Sequence, residues 1–309
     1  MASLPFFCHV AGLSPSVGLL AGVLGLLPFR VWMETKGAWD THLNALLVIS
    51  VSIAVMCWMR APSFRVKESI VHGLLWGFAL LATPSLLTFA LLLSLLGFFV
   101  IERANRLKYF RFLLCCVVAA FVVLLPWSIR NFNQIGGVFF VRDSMGLELY
   151  SSNNDKAGVS LGENTSLGDA RPHPFHNKNE FMELQRLGEI QYMQSKRESA
   201  VQWILSNPAR FANMTMKRVV LFWFPWLDSN WKRLGLWTVV VLGFIGMMLV
   251  LRGTSASRLI LMLWLSYPVV YYIVQADPRY SYPIYWSILV PAGALMVRLY
   301  PFSNWNSHQ

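Results

Sequence analysis

Two kinds of side chain in this sequence could do chemistry beside a membrane: carboxylates in one short polar segment and arginines at the ends of apolar runs. Glu34 and Asp40 are the only acids between the first two apolar runs, and a carboxylate there could accept a proton from a hydroxyl group. Arg279 lies between two apolar runs in DPRYSYP, and Arg130 lies in PWSIRN at the end of another. Because a guanidinium binds phosphate through paired hydrogen bonds, both arginines are candidate phosphate ligands.

Each of these residues also has a structural interpretation. Glu34 and Asp40 could be solvated loop acids, and Arg279 could pair with Asp277 or anchor a helix at the membrane interface. Arg130 could extend from a helix end toward water, as long cationic side chains at interfaces commonly do. The residues alone leave both interpretations open.

A histidine-containing segment offers a further kind of chemistry. HPFHNKNE places His173, His176 and Glu180 close together, and these are ligand types that a divalent metal accepts. Pro172 and Pro174 argue against both histidines sharing one helical face, which favours a loop that packs against the following helix. We therefore assign no metal ligand and no cofactor, and a divalent metal stays open.

The elements that must position these residues are membrane helices. Hydrophobic residues make up 56% of the sequence and charged residues 13%, which is more apolar and less charged than a soluble domain. The net charge of +11 comes from short basic clusters between apolar runs, where positive charge fixes topology against anionic lipid. The composition thus predicts an integral membrane protein in contact with membrane lipids, without a nucleic-acid partner.

Apolar runs of suitable length predict about eight transmembrane helices, since about 20 helical residues cross a hydrocarbon core of about 30 Å. The uncharged run from Ser69 to Ile101 is too long for one span and contains Thr83-Pro84-Ser85. Because proline disfavours a continuous helix, we predict a hairpin of two short helices there. The predicted spans are 10–29, 43–59, 69–83, 85–101 and 112–129 in an N-terminal part (1–129), and 234–251, 259–276 and 280–297 in a C-terminal part (218–309).

Charge placement predicts which helix ends lie on the same side. If the hairpin is present, the basic segments between the spans all lie on one side of the membrane. They are the clusters at 60–67 and 103–111, and Arg252 and Arg258. The opposite side then carries the candidate site and a long polar region: Glu34, Asp40, Arg130, residues 130–217 and Arg279. The apolar aromatic segment 219–226 is too short to span, which predicts an interfacial helix or an incomplete span.

Periodicity in the polar region predicts helices as well. Apolar residues recur at three-residue steps over Asn179–Ser206, which predicts one long helix. Asn207-Pro208 should end it, and a second helix from about Ala209 should lead back to the membrane.

Several segments, taken in order, resemble one family. PWSIRNFNQIGG followed by GLELYSSNN is similar to the end of a span with a downstream Gly-x-x-x-Tyr and paired asparagines. HPFHN, Glu180 and GEIQYM are similar to an outer helical region, and RYSYPIYW is similar to an Arg-Tyr-x-x-Pro motif at the start of a late span. Together they resemble the GT-C superfamily of polytopic glycosyltransferases, in particular the family 39-like bacterial relatives of dolichyl-phosphate-mannose protein mannosyltransferases.

The resemblance implies an all-α polytopic fold with a small, mainly helical periplasmic region, in the bacterial inner (plasma) membrane. It implies transfer of a sugar from a polyprenyl-phosphate donor to a lipid, glycan or protein acceptor at the periplasmic face. Arg279 and Tyr280 would then lie near the phosphate of the donor.

One departure from the family pattern concerns catalysis. Family members carry a catalytic acidic residue in the first outer loop, and no segment here matches that loop. Glu34 and Asp40 fall in a later outer loop. Three explanations stay open: a truncated reading frame, a partner chain that supplies the missing N-terminal half, or a non-catalytic membrane protein such as a transporter or scaffold subunit.

Overall fold

The computed structural model describes residues 1–27 and 40–300, and these residues are mainly helical. Helices account for 77% of the structure, without a strand in the described ranges. An isolated bridge joins Ser160 and Ala276. The prediction of an all-α fold is confirmed for this part of the chain.

The helices follow one another with short connections. Their bounds are α1 Leu4–Val10, α2 Pro15–Leu26, α3 Thr41–Arg60, α4 Val66–Ala82, α5 Leu86–Val100, α6 Arg106–Ile135, α7 Met145–Ser152, α8 Leu161–Ser166, α9 Lys178–Leu187, α10 Glu189–Ser206, α11 Pro208–Trp223, α12 Asn230–Leu249, α13 Ser255–Ser266, α14 Val269–Ile273, α15 Pro278–Ser281 and α16 Trp286–Leu299. Short 3₁₀ turns lie at Arg103–Asn105, Gly168–Ala170 and Tyr282–Ile284.

Four described helical segments are long and apolar enough to cross a membrane: Thr41–Arg60, Arg103–Ile135, Asn230–Leu249 and Ser255–Ile273. A fifth is added if Pro278–Ile284 and Trp286–Leu299, bent by 62°, count as one span. α2 and α5 are apolar but have only 12 and 15 residues. These lengths are consistent with an integral membrane protein.

The chain turns at the predicted proline. α4 and α5 are separated by Thr83, Pro84 and Ser85, and the ring of Trp76 on α4 lies 5.9 Å from that of Phe89 on α5. α6 then runs alongside α4: a Cβ added at Gly77 would lie 2.8 Å from Val123. The two glycines of GLLWG, Gly73 and Gly77, thus allow the close helix approach that small residues provide in membranes.

Four predicted helices are divided in the structure. The predicted span 259–276 is divided between α13 and α14, and the predicted span 280–297 bends by 62° before α16. The other two are interrupted at glycines. The predicted span 10–29 is interrupted because Gly12 adopts φ +75°, so α1 ends at Val10 and α2 begins at Pro15. Residues 28–39 lie outside the described ranges. The single helix predicted over 179–206 is wrong, since Gly188, also at φ +75°, separates α9 from α10.

α16 is the centre of the bundle. Its residues from Trp286 to Leu295 are all buried, and glycines on α16 and on its neighbour α12 permit close contact. A Cβ at Gly243 on α12 would lie 2.8 Å from the Ile288 carbonyl, and the Val17 carbonyl on α2 lies 2.8 Å from a Cβ built at Gly293. This packed helix holds the preceding segment, which contains Arg279, at one end of the bundle.

The helices end at two sides of the bundle, which we call the basic end and the polar end after the residues predicted to lie there. At the basic end, the ring of Trp58 near the end of α3 stacks on Phe112 near the start of α6, at 5.4 Å. At the polar end, Asn131 near the end of α6 donates to the Phe139 carbonyl at 3.2 Å. The polar region and the Arg279 segment meet at this polar end through the contacts described below.

Candidate functional site

A cavity of about 670 Å³ lies at the polar end, where the polar region meets the segment before α16. α7, α8, the loop after Ala170 and residues 275–280 form its walls. The residues that line it are Glu148, Leu161, Thr165, Arg171, Phe175, Gln275, Asp277, Pro278, Arg279 and Tyr280. It therefore combines two arginines, two carboxylates and a few neutral polar groups with apolar walls, a composition typical of a small-ligand site.

Backbone pairing between distant segments forms this cavity. The Leu161 amide donates to the Ala276 carbonyl at 2.9 Å, and the Ala276 amide donates to the Val159 carbonyl at 3.0 Å. Beside this pair, the Asn164 side-chain amide donates to Gln275 Oε1 at 3.0 Å, a buried hydrogen bond. These contacts fix α8 against residues 275 and 276 and so set the width of the cavity.

Arg279 is held at the start of α15. Asp277 caps this short helix by accepting from the Arg279 amide at 2.9 Å, and the same oxygen lies 3.6 Å from Arg279 Nε. The guanidinium also lies over the Tyr280 ring, 5.2 Å from its centroid, and that ring stacks on Tyr271 at 4.6 Å. The pairing with Asp277 that the sequence left open is thus present, and an anion would have to share the guanidinium with this carboxylate.

Arg171 is the most unusual side chain of the cavity. It is only 8% exposed, and its Nε atom is buried without a hydrogen-bond partner. Among the described residues no carboxylate forms an ion pair with it. Taking a cation out of water costs several kcal/mol unless other groups compensate it, so Arg171, with no ion pair among the described residues, is a candidate ligand for an anion.

Glu148, on α7, brings a carboxylate to the same cavity. Its Oε2 accepts from the Gln275 side-chain amide at 3.1 Å. Burial raises the pKa of Glu148 above its ordinary value, although the nearby charges of Arg171, Arg279 and Arg142 oppose the shift. The carboxylate therefore holds its proton to a higher pH than a solvated glutamate does.

A second buried arginine attaches the polar region to the bundle. Arg218 on α11 is 0% exposed; its guanidinium donates to the Ile273 carbonyl at 2.8 Å, to Asn153 Oδ1 at 3.1 Å and to the Ser152 carbonyl at 2.5 Å. Ser152 and Ile273 are the last residues of α7 and α14. Because helix C-termini carry partial negative charge, two helix ends compensate this cation.

The predicted site residues are only partly brought together. Arg279 and Tyr280 line the cavity, whereas Glu34 lies outside the described residues. Asp40 is exposed and lies 3.9 Å from Arg142. Arg130 lies over the Trp127 ring at 4.8 Å and donates to Asn131 at 3.2 Å, and it is not among the cavity residues.

The side chains of the histidine segment have protein partners in the described part of the chain. No group of three or more metal-ligating side chains occurs there. Glu180 instead accepts from Tyr192 at 2.6 Å and pairs with Lys196 at 2.7 Å. Burial, with Arg171 and His176, lowers the pKa of His173 to about 4, although Glu180 opposes the shift.

A separate apolar groove of about 520 Å³ runs between α4, α5, α6 and α13. Its lining reaches from Arg258 at the basic end to Phe140. Its charged or titratable lining residues are Arg258, His72, Tyr109 and Cys116, without a carboxylate in the described lining, so the candidate site is the cavity at the polar end.

Sequence reasoning missed Arg171 and Glu148. Arg171 lies in a loop without any repeated pattern, and Glu148 lies inside GLELYSSNN, where its neighbours reveal nothing about Gln275. Comparisons of the chain with protein-family models, curated proteins and solved structures found no match. The chemistry of the cavity is therefore argued from its own residues.

Proposed function

We propose that the protein is a GT-C-like membrane glycosyltransferase that transfers a sugar, a hexose or a pentose, from a polyprenyl-phosphate donor to a lipid, glycan or protein acceptor. The polar region would face the periplasm, with the bundle in the bacterial inner membrane. The shorter helices α2, α4 and α5 would complete about eight membrane-embedded helices.

The observation that carries the proposal is the pair of arginines in one cavity. Arg171 is buried without a partner for Nε, and Arg279 lines the same cavity. A phosphate would supply the compensating charge through charge-assisted hydrogen bonds. Departure of a polyprenyl phosphate builds negative charge on the phosphate oxygens, and preorganised guanidinium groups stabilise such charge most where water is excluded.

The position of the cavity fits a donor carried in a membrane. Tyr280 in its wall packs on Tyr271, which belongs to the predicted span 259–276, and α16 continues from this wall into the centre of the bundle. The phosphate of a membrane-borne lipid could thus reach the arginines while its hydrocarbon chain stays among apolar helices.

The alternative class, a non-catalytic transporter or scaffold subunit, has weaker support. Transporters commonly carry charged side chains buried within their spans. The buried charged residues of the described chain are Arg171, Lys196 and Arg218, and all of them lie outside the four long apolar segments.

The test measures sugar transfer by the protein in lipid nanodiscs. Radiolabelled polyprenyl-phosphate hexose and pentose donors are supplied with membrane lipid, glycan and protein fractions as acceptors. We expect label to move to one fraction with the wild type. Arg171→Ala and Arg279→Ala should each lower kcat/KM about 10- to 150-fold, the equivalent of about 1.5–3 kcal/mol for a hydrogen bond to a charged group.

Arg186→Ala is the matched control, because Arg186 is an exposed arginine of α9 in the same polar region. We expect its kcat/KM to stay within about twofold of the wild type, since a substitution at an exposed site usually changes little. Absence of transfer by the wild type from every donor would refute the proposed function. If both Arg171→Ala and Arg279→Ala transferred sugar at the wild-type rate, the two arginines would have no role in the transfer.

A further inference from the structure

Two carboxylates line the cavity that holds Arg171 and Arg279, and they are engaged differently. Asp277 caps α15 through the Arg279 amide and lies 3.6 Å from Arg279 Nε. Glu148 accepts one hydrogen bond, from Gln275 at 3.1 Å, and forms no ion pair with any described arginine. Asp277 is therefore committed to the backbone and to Arg279, whereas Glu148 keeps an oxygen that no described side chain binds.

Gln275 holds the Glu148 carboxylate in a fixed position. Gln275 is 2% exposed, and its other amide atom, Oε1, accepts from Asn164 at 3.0 Å. A buried amide bonded at both ends cannot rotate without breaking a hydrogen bond, which costs about 1–3 kcal/mol when the group left behind is buried. One oxygen of Glu148 is thus fixed, and this orients the carboxylate within the cavity wall.

We propose that Glu148 is the catalytic base of the transfer reaction; this rests on the glycosyltransferase function proposed above. Its carboxylate takes the proton from the acceptor hydroxyl while that oxygen forms a bond to the anomeric carbon of the sugar. The bond between the anomeric carbon and the phosphate oxygen breaks, and its electron pair leaves with polyprenyl phosphate, which Arg171 and Arg279 stabilise. Glu148 afterwards releases the proton to solvent, so charge and atoms balance.

The position of Glu148 favours it over Asp40, the one described acid that the sequence suggested. Asp40 is exposed, pairs with Arg142 and does not line the cavity. A general base must lie within hydrogen-bond reach of the hydroxyl that it deprotonates, and Glu148 shares a cavity with Arg171 and Arg279. It can therefore meet an acceptor that approaches the donor.

The surroundings of Glu148 also define the pH dependence. The groups that act on it are Arg171, Arg279, Arg142 and the Gln275 amide, with the Tyr280 hydroxyl nearby. Burial raises the pKa of Glu148, and a base acts only when it has lost its proton. The transfer rate should therefore rise with pH through a pKa above that of a solvated glutamate.

The experiment compares wild type, Glu148→Gln, Glu148→Asp and the control Glu189→Gln, which alters an exposed glutamate of α10. Single-turnover transfer is measured from pH 4 to 9 in nanodiscs, and binding of polyprenyl monophosphate is measured separately. We expect Glu148→Gln to slow transfer about 10²- to 10⁴-fold and to lose the acidic limb of the profile. Its affinity for polyprenyl monophosphate should be unchanged or higher, because a negative charge beside the phosphate has been removed.

The outcomes separate the two proposals. If the wild type is active and Glu148→Gln transfers sugar within about threefold of its rate, Glu148 is not the catalytic base. The glycosyltransferase function would then stay intact. If Glu148→Gln loses both sugar transfer and polyprenyl monophosphate binding, Glu148 stabilises the structure of the cavity through its charge. This result would also overturn the assignment. Partial activity of Glu148→Asp with a retained acidic limb supports it, and a wild type inactive with every donor refutes the function itself.

Discussion

Replacement of Arg218 by methionine should release the polar region from the bundle. The substitution keeps much of the side-chain volume but removes the donors to Ser152, Asn153 and Ile273. Each hydrogen bond from a charged donor contributes about 1.5–3 kcal/mol. Removing the cation also removes its desolvation cost of several kcal/mol, so we expect a net loss of about 2–4 kcal/mol.

This loss can be measured as local opening. Hydrogen exchange of the backbone amides in Met145–Ser152 reports the free energy of separating α7 from α11 and α14, when exchange is limited by the opening equilibrium. A loss of about 2–4 kcal/mol corresponds to protection about 30- to 700-fold lower, at 1.4 kcal/mol for each factor of ten. Amides of α16 in the centre of the bundle should keep their protection, because the hydrogen bonds of Arg218 go to Ser152, Asn153 and Ile273, which lie outside that helix.

A matched control lies next to Arg218 in the sequence. Lys217 is exposed on the same helix, so Lys217→Met removes the same charge without removing a buried donor. Burial lowers the pKa of Arg218 to about 10, so the guanidinium is charged at neutral pH and the two variants are comparable. If Arg218→Met kept its α7 protection within about threefold of the control, two helix ends would not depend on this cation and the reasoning would be refuted.

Two further predictions concern packing and pH. Gly77→Ala should destabilise the contact between α4 and α6 by about 1–3 kcal/mol, because its Cβ would lie 2.8 Å from Val123. The measurement is the thermal unfolding temperature in detergent, which this variant should lower. Gly22→Ala is the control and should leave it unchanged, because its Cβ would be 3.7 Å from its nearest neighbour. The pKa of His173 is lowered to about 4, mainly by burial, so the unfolded chain binds a proton between about pH 6.5 and 4 that the folded chain does not. The free energy of unfolding of the polar region should therefore fall as pH decreases through this interval. Denaturant titrations at several pH values should show a smaller fall for His173→Gln than for the wild type. An equal fall in both proteins would contradict the prediction.

Hydropathy and charge placement predicted the main features of the fold. Basic clusters that follow alternate apolar runs require the Ser69–Ile101 run to turn, and the structure turns at Thr83-Pro84-Ser85. The same argument predicted that Arg279 and residues 130–217 share one end, where the cavity now joins them. These features follow from the cost of placing charge in hydrocarbon, which acts on each segment separately and can be evaluated from the sequence.

The helix breaks at Gly12 and Gly188 could not be predicted in the same way. A glycine inside an apolar periodic pattern is compatible with a continuous helix at a cost of about 1 kcal/mol, so the pattern around Gly188 favoured one helix. In the structure α9 and α10 instead fold back on each other, and Lys196 reaches Glu180 and Glu183 at 2.7 and 2.8 Å. The positive φ at Gly188 follows from that tertiary contact and not from the local sequence.

The cavity depends on contacts between segments more than one hundred residues apart in the sequence. Asn164 meets Gln275, and Gln275 meets Glu148. None of these residues belongs to a local motif whose spacing would bring them together. A candidate base could therefore be sought from sequence only among acids near a predicted span, which is why Asp40 was considered and Glu148 was not.

The buried cations of the described chain provide the strongest argument that the cavity binds an anion. Lys196 is compensated by two glutamates, and Arg218 is compensated by an amide oxygen and the carbonyls of two helix ends. The Nε atoms of Arg218 and Arg171 both lack a partner, but Arg171, which is nearly as buried, forms no ion pair and no side-chain hydrogen bond with any described residue. Since buried polar groups without partners concentrate at functional sites, we infer that the guanidinium of Arg171 is completed by a bound anion.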